Sequence, residues 1–398
     1  MSIGNNESAM SSRPFSTTSL EIGKLGQAAA LRGETPSATD TDSVATVILR
    51  LLDKVLIEFQ ETPDSAGPAM YDLQSELGSV KEKSTPEVWS MVTALCLAHP
   101  VSDLIHQDPF TRHCFTKPRG YAGDAELLDY LYGVSEAPAG TTPLGRSICN
   151  HMMDQQGGRS VRSRGKILAR LIDETADIRR QPRILSIACG HLREGVHSQA
   201  LMSGRISEFV ALDQDADSLA HVEQAYAGTN VRTVRASVKS ILGGKIRFEG
   251  FDFVYAAGLY DYLSERVATR FTRMMFDMLS PGGRLLVANF APVLPEVGYM
   301  ETFMDWKLIY RTAEEMSLLS GDIPGSEWKS NRLFWDEPEN IVFLELVKRA
   351  VVKPELTYMG KGKRFSVRRI QNPTIDRRLR TGRQASTNSS EAGPVEAP

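Results

Sequence analysis

Residues 183–195, RILSIACGHLREG, decide the fold of this chain. An apolar run, Arg183 to Ile187, passes into small residues and then into polar ones. This order is typical of a buried strand followed by a cofactor-binding loop and the start of a helix. A dinucleotide loop would carry three closely spaced glycines around the pyrophosphate. Only Gly190 and Gly195 are present here, so the stretch predicts an α/β fold and a cofactor without phosphate.

Strand-like and helix-like segments alternate after this stretch. Apolar helical patterns separate the predicted strands and indicate right-handed parallel βαβ units. A long helix is predicted from about 300 to 320, followed by two strands around a short turn, which indicate an antiparallel hairpin. The predicted fold is a Rossmann-like open α/β sheet of parallel strands closed by a hairpin, with its ligand at the carboxyl ends of the strands. The predicted strands are RILSIAC, EFVALDQD, NVRTVRAS, FDFVYAAG, GGRLLVANF, NRLFWDE and NIVFLELVKR, the fifth preceded by a turn SPGG.

The residues before the sheet have helical patterns only. SVATVILRLLDKVLIEFQ, EVWSMVTALCLAHP, DAELLDYLYG and RSVRSRGKILARLIDETADI each show apolar residues at helical spacing. We therefore predict a disordered segment over 1–40, an all-helical lid or substrate domain over 41–178 and a cofactor domain over 179–350. A basic and then low-complexity tail follows over 351–398.

Composition excludes several classes of function. The net charge is −3, so the chain as a whole does not resemble a polyanion-binding protein. No run approaches the roughly 18 apolar residues of a membrane span, and the N-terminus has no apolar signal core. The four cysteines lack CxxC spacing, which argues against a zinc site or a disulfide framework. We therefore predict a cytoplasmic protein with no metal, no membrane span and no nucleic-acid partner.

Three features in order point to S-adenosylmethionine as the cofactor. Gly190 lets the backbone approach the amino-acid tail, Asp213 ends the second strand where it can accept both ribose hydroxyls, and the fourth strand ends in AAGLYDYL, whose small residues leave room beside the methionine moiety. Ser237 and Val238, after the third strand, can meet the adenine. Taken singly, each is more often an ordinary turn or helix cap, and their joint order carries the prediction. The predicted cofactor contacts are Ala188, Gly190, Glu194, Asp213, Gln214, Ser237, Val238, Ala257 and Gly258.

The sequence also resembles known families. Residues 183–348 resemble class I S-adenosylmethionine-dependent methyltransferases. FTKPRGYAGDAELLDYLYG (115–133), AAGLYDYL (256–263) and DWKLIYRT (305–312) resemble a bacterial family described as extracellular-factor 3-hydroxypalmitic acid methyl ester biosynthesis proteins. The resemblance implies cofactor contacts at Gly190, Asp213, Ser237 and Gly258.

The first loop departs from the common methyltransferase pattern D/E-x-G-x-G-x-G. His191 and Leu192 stand where a further glycine is usual, and Ser186 stands where an acid is often found. Arg193 and Glu194 can compensate, Glu194 by accepting from the α-ammonium group of the cofactor. The alternative is that both simply belong to the first turn of the following helix.

The acceptor side is less sharply predicted. The loop TKPRGYAGD (116–124) carries Arg119 and Tyr121 toward the site, or else it is a turn before a helix cap at Asp124. In the predicted long helix, Trp306 and Tyr310 at i and i+4 share one face, unless they are a structural aromatic pair. An arginine in the pocket would grip a carboxylate. The predicted catalytic residues are Tyr121, Asp261, Tyr310 and Arg311, and the predicted substrate contacts are Arg119, Tyr121, Tyr262 and Trp306.

The predicted reaction is methylation of a small molecule, with a carboxylate of a hydroxy fatty acid or related metabolite as the leading acceptor. A carboxylate needs no general base, whereas an amine or hydroxyl would use Asp261, Tyr260, Tyr262 or His113. N- or S-methylation of an amino-acid-like metabolite is the main alternative. A nucleic-acid methyltransferase and a non-catalytic cofactor-binding module are alternatives of other classes. The sequence does not indicate the oligomeric state.

Overall fold

The structure, a computed structural model, describes residues 38–350, with side chains from residue 42 onward. The predicted basic tail from residue 351 lies outside the described residues, as does the predicted disordered segment up to residue 37. None of the helices in the described part is both long and apolar enough to cross a membrane.

The described residues before the sheet form helices and contain no strand. The fold has helices at the four segments that show apolar periodicity, and four further helices between them. Asp124 caps the helix Ala125–Leu131 as expected, since its side chain accepts from the Leu127 N–H (2.8 Å). The helices are α1 (Ala38–Glu61), α2 (Gly67–Lys83), α3 (Pro86–Ala98), α4 (Val101–Ile105), α5 (Pro109–Thr116), α6 (Ala125–Leu131), α7 (Pro143–Met153) and α8 (Gln156–Ile178).

Seven strands form one mixed sheet in the order β3-β2-β1-β4-β5-β7-β6. The first five pair in parallel, and β7 pairs antiparallel with both β5 and β6, which confirms the predicted fold class. The predicted turn SPGG lies inside β5, at a register shift against β4. The strands are β1 (Arg183–Ile187), β2 (Glu208–Asp213), β3 (Val231–Arg235), β4 (Phe251–Ala256), β5 (Leu279–Phe290), β6 (Trp328–Trp335) and β7 (Ile341–Lys348).

Shorter helices connect the strands. They are α9 (Gln199–Met202), α10 (Ala216–Ala225), α11 (Val238–Leu242), α12 (Glu265–Asp277), α13 (Val297–Phe303) and α14 (Ala313–Leu318).

The predicted long helix over 300–320 is wrong. Asp305 adopts a left-handed backbone (φ 43°) just after α13, and Thr312 starts α14 with a capping box to Glu315. Between them the chain has no regular secondary structure and passes the ends of β4 and β5, where the Ile309 N–H donates to the Asp261 carbonyl (2.8 Å) and the Arg311 N–H donates to the Phe290 carbonyl (3.0 Å). Trp306 and Tyr310 therefore do not share a helix face.

The two faces of the sheet are buried against different helices. Ile184 and Tyr255 belong to a core shared with α1–α8, whereas the neighbouring Leu185 and Val254 pack with α12 and α14. The described residues form one compact unit, so the proposed domain boundary near residue 178 stays a prediction. The helical part thus covers one face and extends over the carboxyl ends of the strands.

Candidate active site

A cavity of about 850 Å³ lies at the carboxyl ends of β1, β2 and β4. The parallel sheet contributes one wall, and residues 119–132 and α8 contribute the other. Its position at the β1/β4 switch point is the one that the sequence predicts. All nine predicted cofactor contacts line it, together with Arg119, Tyr121 and Tyr262.

The loop after β1 keeps a glycine-type backbone with few glycines. Ala188, Gly190 and Leu192 have φ of 55°, 52° and 52°, the left-handed region that usually requires glycine. Leu192 is fully buried, and its carbonyl accepts a short hydrogen bond from the Tyr226 hydroxyl. The residues after Gly190 form turns and a 3-10 segment, so they do not begin a long helix. Tertiary contacts therefore hold a loop geometry that its sequence does not favour.

Asp213 connects the first and second strand ends. Its Oδ2 accepts from the Gly190 N–H (2.9 Å), and its Oδ1 accepts from the Asp215 N–H (3.0 Å). Each carboxylate oxygen has a second lone pair, which leaves acceptor capacity toward the cavity. The carboxylate is thus oriented by the loop backbone and can still accept from a pair of hydroxyls.

Glu194 supplies a buried carboxylate beside Ser186, the residue that stands where the common methyltransferase pattern often has an acid. Its Oε1 accepts from the Tyr255 hydroxyl (2.6 Å), and Tyr255 pairs with Ser186 across β1 and β4. Burial raises the pKa of the Glu194 carboxyl. The side chain lines the cavity, so it lies where the sequence predicts a cofactor contact.

Arg164 is a cavity residue that the sequence reasoning missed. It lies on α8 and is 6% exposed, and its Nη1 donates to the Ala257 carbonyl (2.8 Å). Within residues 38–350, its buried Nε has no hydrogen-bond partner. One arginine among several on an amphipathic helix gave no local signal that it faces the sheet.

A second missed residue, Asp129, joins the helical part to the cofactor loop. Its carboxylate accepts from the Arg193 Nε (2.6 Å) and Nη2 (2.5 Å), and it contacts the His191 Nδ1 (2.9 Å). The His191 ring stacks on His221, and its buried Nε2 has no hydrogen-bond partner among the described residues. Arg193 lines the cavity, but its Nε and Nη2 are already bound to Asp129.

The loop over 116–124 reaches the cavity because Gly123 packs against an aromatic pair. An added Cβ at Gly123 would lie 2.5 Å from the Tyr262 hydroxyl and 2.6 Å from the Trp306 ring. The Trp306 Nε1 donates to that hydroxyl (2.8 Å). Tyr121 lines the cavity as predicted, and burial raises the pKa of its hydroxyl.

Arg119 lines the cavity but is engaged elsewhere. Its Nη1 donates to the Asp215 Oδ2 (2.6 Å), and its Nε lies 3.3 Å from the Glu126 carboxylate. These contacts contradict the prediction that Arg119 binds a substrate carboxylate through two hydrogen bonds. Its contacts instead tie the loop to the start of α10.

Four other predicted acceptor-side residues do not line the cavity. Arg311 is buried and donates to the Asn289 side chain and to the carbonyls of Tyr260 and Leu263. Asp261 is also buried, and its Oδ1 accepts from the Phe290 N–H (2.7 Å). Burial raises the pKa of Asp261 to about 6. Four residues predicted as catalytic or substrate-binding therefore do not line the cavity, namely Asp261, Trp306, Tyr310 and Arg311.

Two further base candidates also lie outside the cavity. The Tyr260 hydroxyl contacts Thr272 (2.8 Å) in the core, and the His113 Nε2 contacts the Asp124 carboxylate (2.8 Å). His113, Asp124 and Glu126 have ligand atoms within 4.8 Å of one another. Because Asp124 already caps α6 and Glu126 pairs with Arg119, a structural role accounts for these contacts.

Comparisons with known proteins agree with this geometry. Residues 184–283 match a family model described as a methyltransferase domain, and a second methyltransferase family model matches residues 119–227. The second match includes the loop and helix that close the cavity from the helical side. Among curated proteins, none matches this sequence.

Three of the solved structures that match parts of this chain show the extent of the similarity. A possible exported protein from Bordetella parapertussis is 15% identical with a TM-score of 0.51, covering 76% of this chain and 97% of that one. The N-methyltransferase NodS from Bradyrhizobium japonicum WM9, in complex with S-adenosyl-L-homocysteine, is 16% identical with a TM-score of 0.34, covering 47% and 87%. Magnesium protoporphyrin IX methyltransferase from Synechocystis PCC 6803 is 10% identical with a TM-score of 0.40, covering 61% and 99%.

Proposed function

We propose that this protein, an S-adenosylmethionine-dependent methyltransferase, methylates the carboxylate of a small and largely apolar acid. The main observation behind this proposal is that Asp261, the carboxylic acid side chain predicted as a base, does not line the cavity. Asp261 is buried and accepts from the Phe290 N–H, and the Tyr260 hydroxyl is bound to Thr272. Of the candidates, only Tyr262 lines the cavity, and its hydroxyl accepts from the Trp306 Nε1 (2.8 Å). The residue is 42% exposed, but desolvation around this hydroxyl raises its pKa, so it is a poor base.

This arrangement suits an acceptor that is already ionised. Bound S-adenosylmethionine supplies the methyl group, and a carboxylate supplies its own electron pair, so no side chain must take a proton. The loop over 116–124 covers the cavity, and the packing of Gly123 on Trp306 and Tyr262 holds it there. Excluding water and aligning the reactants are the contributions that such a displacement needs.

An apolar crevice beside the cavity supports an apolar body for the acid. Trp306 contributes to this crevice and contacts Tyr262 of the cavity wall. The crevice has a volume of about 40 Å³, little more than the volume of one water molecule, so an alkyl chain would enter only if side chains around it, three methionines among them, move. We propose that this crevice receives the chain of a hydroxy fatty acid or a related metabolite. The apolar side chains around it include Phe110, Leu131, Met152, Val161, Phe290, Leu294, Met300, Met304 and Trp306.

The product's chemistry provides the test. The protein is incubated with tritium-methyl-labelled cofactor and a panel of hydroxy fatty acids, amines and thiols. A methyl ester releases volatile labelled methanol in alkali, whereas N-methyl and S-methyl products do not. We expect alkali-labile label with the acids, and we expect Asp261→Asn to retain this activity in its folded fraction. Label that resists alkali, or an inactive but folded Asp261→Asn variant, would overturn the carboxylate proposal.

N- or S-methylation is a second candidate because of one observation. The His191 Nδ1 contacts Asp129, and its buried Nε2 has no partner among the described residues, so it could accept a proton. If the protein methylates nitrogen or sulfur, the incorporated label is stable in alkali and His191→Phe incorporates none. If it methylates a carboxylate, His191→Phe still incorporates label, because that reaction needs no base.

We also propose the substrate class and the cellular location of this protein. A net charge of −3 argues against a nucleic-acid substrate, and the predicted basic tail lies outside the described residues. All four cysteines are unpaired and buried, which agrees with the proposed cytoplasmic location. We propose a small-molecule substrate as the partner of this site.

A further inference from the structure

We infer that Arg164 and Glu194 bind the amino-acid end of S-adenosylmethionine as a pair of opposite charges. The guanidinium receives the α-carboxylate, and the Glu194 carboxylate receives the α-ammonium. This inference rests on the cofactor assignment and is independent of the acceptor's identity. It adds a residue, Arg164, that neither motif nor resemblance indicates.

Arg164 is a buried guanidinium with unused hydrogen-bonding capacity. Only 6% of the residue is exposed, its Nη1 donates to the Ala257 carbonyl, it also contacts Tyr132, and its Nε has no partner among the described residues. Glu194 and Asp261 act on it electrostatically, but no described side chain lies close enough to form an ion pair with it. A buried guanidinium without an ion-pair partner is unfavourable, so the arrangement favours an anion in this part of the cavity. A guanidinium can hold a carboxylate with two parallel hydrogen bonds.

Glu194 is the complementary group. It is 6% exposed, accepts from the Tyr255 hydroxyl (2.6 Å) and forms no ion pair with any described residue. In the same cavity wall, Asp129 and Arg193 already satisfy each other. Arg164 and Glu194 thus attract each other without forming an ion pair, and both lie in the cavity wall where a ligand can bind between them.

Both side chains lie at the part of the cavity where the first loop meets the end of β4. Glu194 follows Gly190 by four residues and contacts Tyr255 on β4, and an added Cβ at Gly258 would lie 3.6 Å from the Arg164 Nη1. Asp213 lies at the end of the next strand, β2, where it suits the ribose hydroxyls. A ligand with hydroxyls at one end and a zwitterion at the other suits this order of groups along the cavity wall.

The competing role for Arg164 is to hold the carboxylate of the acceptor. That role predicts a change in the KM of the acid and none in cofactor affinity. Binding of cofactor analogues in the absence of acceptor separates the two roles.

The experiment measures binding by calorimetry with three probes. S-adenosylhomocysteine carries both tail charges, decarboxylated S-adenosylhomocysteine lacks only the carboxylate, and 5′-methylthioadenosine lacks the whole tail. The proteins are the full chain and its Arg164→Met, Arg164→Lys and Glu194→Gln variants. Arg170→Met, an exposed position on the same helix, is the matched control.

We expect the parent to bind S-adenosylhomocysteine about 10- to 100-fold more tightly than the decarboxylated probe, the range of a charged hydrogen bond. Arg164→Met should lose that preference and keep the affinity for 5′-methylthioadenosine, which shows that it is folded. Arg164→Lys should keep part of the preference. Glu194→Gln should bind S-adenosylhomocysteine more weakly than the parent, and Arg170→Met should match the parent.

Two results would overturn the inference while leaving the cofactor assignment intact. One is a parent that binds the decarboxylated probe as tightly as S-adenosylhomocysteine, a result that needs no variant. The other is an Arg164→Met variant with parental affinity for S-adenosylhomocysteine. A parent that binds none of the three probes would instead overturn the cofactor assignment.

Discussion

Replacing Gly123 by alanine tests how the covering loop is held. The new Cβ would lie 2.5 Å from the Tyr262 hydroxyl and 2.6 Å from the Trp306 ring. Because carbon contacts are normally about 3.5–4 Å, the loop or the rings must move by about 1 Å. Trp306 is buried and bound to the Tyr262 hydroxyl, so its ring cannot yield freely, whereas Tyr262 is 42% exposed and can shift only by stretching that hydrogen bond. Overpacking of this kind costs about 1–3 kcal/mol in the free energy of unfolding.

Denaturant unfolding and calorimetric binding of S-adenosylhomocysteine measure the two consequences. We expect Gly123→Ala to unfold at lower denaturant and to bind the ligand more weakly, because the displaced loop carries Tyr121 in the cavity wall. Gly140→Ala is the control, since no atom lies within 4 Å of its added Cβ. Parental stability together with parental ligand affinity for Gly123→Ala would refute the packing argument.

Three further predictions concern single groups of the site. Ala188→Gly should raise the free energy of unfolding by up to about 1 kcal/mol, because φ of 55° is strained for alanine. A lower free energy of unfolding for the variant than for the parent, measured with denaturant, would contradict this. Asp261 has a folded pKa of about 6 against 3.8, so its burial penalty appears as pH rises through this window. Asp261→Asn should therefore gain up to about 3 kcal/mol over the parent between pH 4 and 7, and a pH-independent difference would count against it. Burial raises the pKa of Glu194, and a bound ammonium would lower it again. Affinity for S-adenosylhomocysteine should rise with pH through the Glu194 pKa in the parent, and remain flat through it in Glu194→Gln.

The sequence predicts the sheet and half of the site for physical reasons. Apolar runs such as Arg183–Ile187 are visible because a strand buried on both faces needs them. The strand ends then place Gly190, Asp213 and Ser237 at one edge whatever the details of the loops. These residues could be found because topology alone brings them together.

The acceptor side depends on tertiary contacts that leave little local pattern. The segment after α13 has aromatic residues at helical spacing, but Asp305 and Thr312 break it into an extended stretch. Arg311 could not be told from a ligand-binding arginine, because its partners are mostly backbone carbonyls distant in sequence. Arg164 gave no signal for the same reason, as its neighbour Ala257 is 93 residues away.

The missing glycines of the first loop have a structural explanation. Ala188 and Leu192 adopt the left-handed backbone that glycine would favour, and Leu192 is fully buried. The motif is therefore altered in sequence but kept in backbone geometry. Its strain, about 1–2 kcal/mol for each residue, is offset by packing.

Calorimetric titration of S-adenosylhomocysteine into the parent and into Asp213→Ala tests the central claim most directly. The account predicts one ligand per chain for the parent. It predicts a loss of at least about tenfold in affinity for Asp213→Ala, because a charged acceptor and the anchor of the Gly190 N–H are both removed. A parent that does not bind, or an Asp213→Ala variant that binds as tightly as the parent, would contradict the assignment of this cavity.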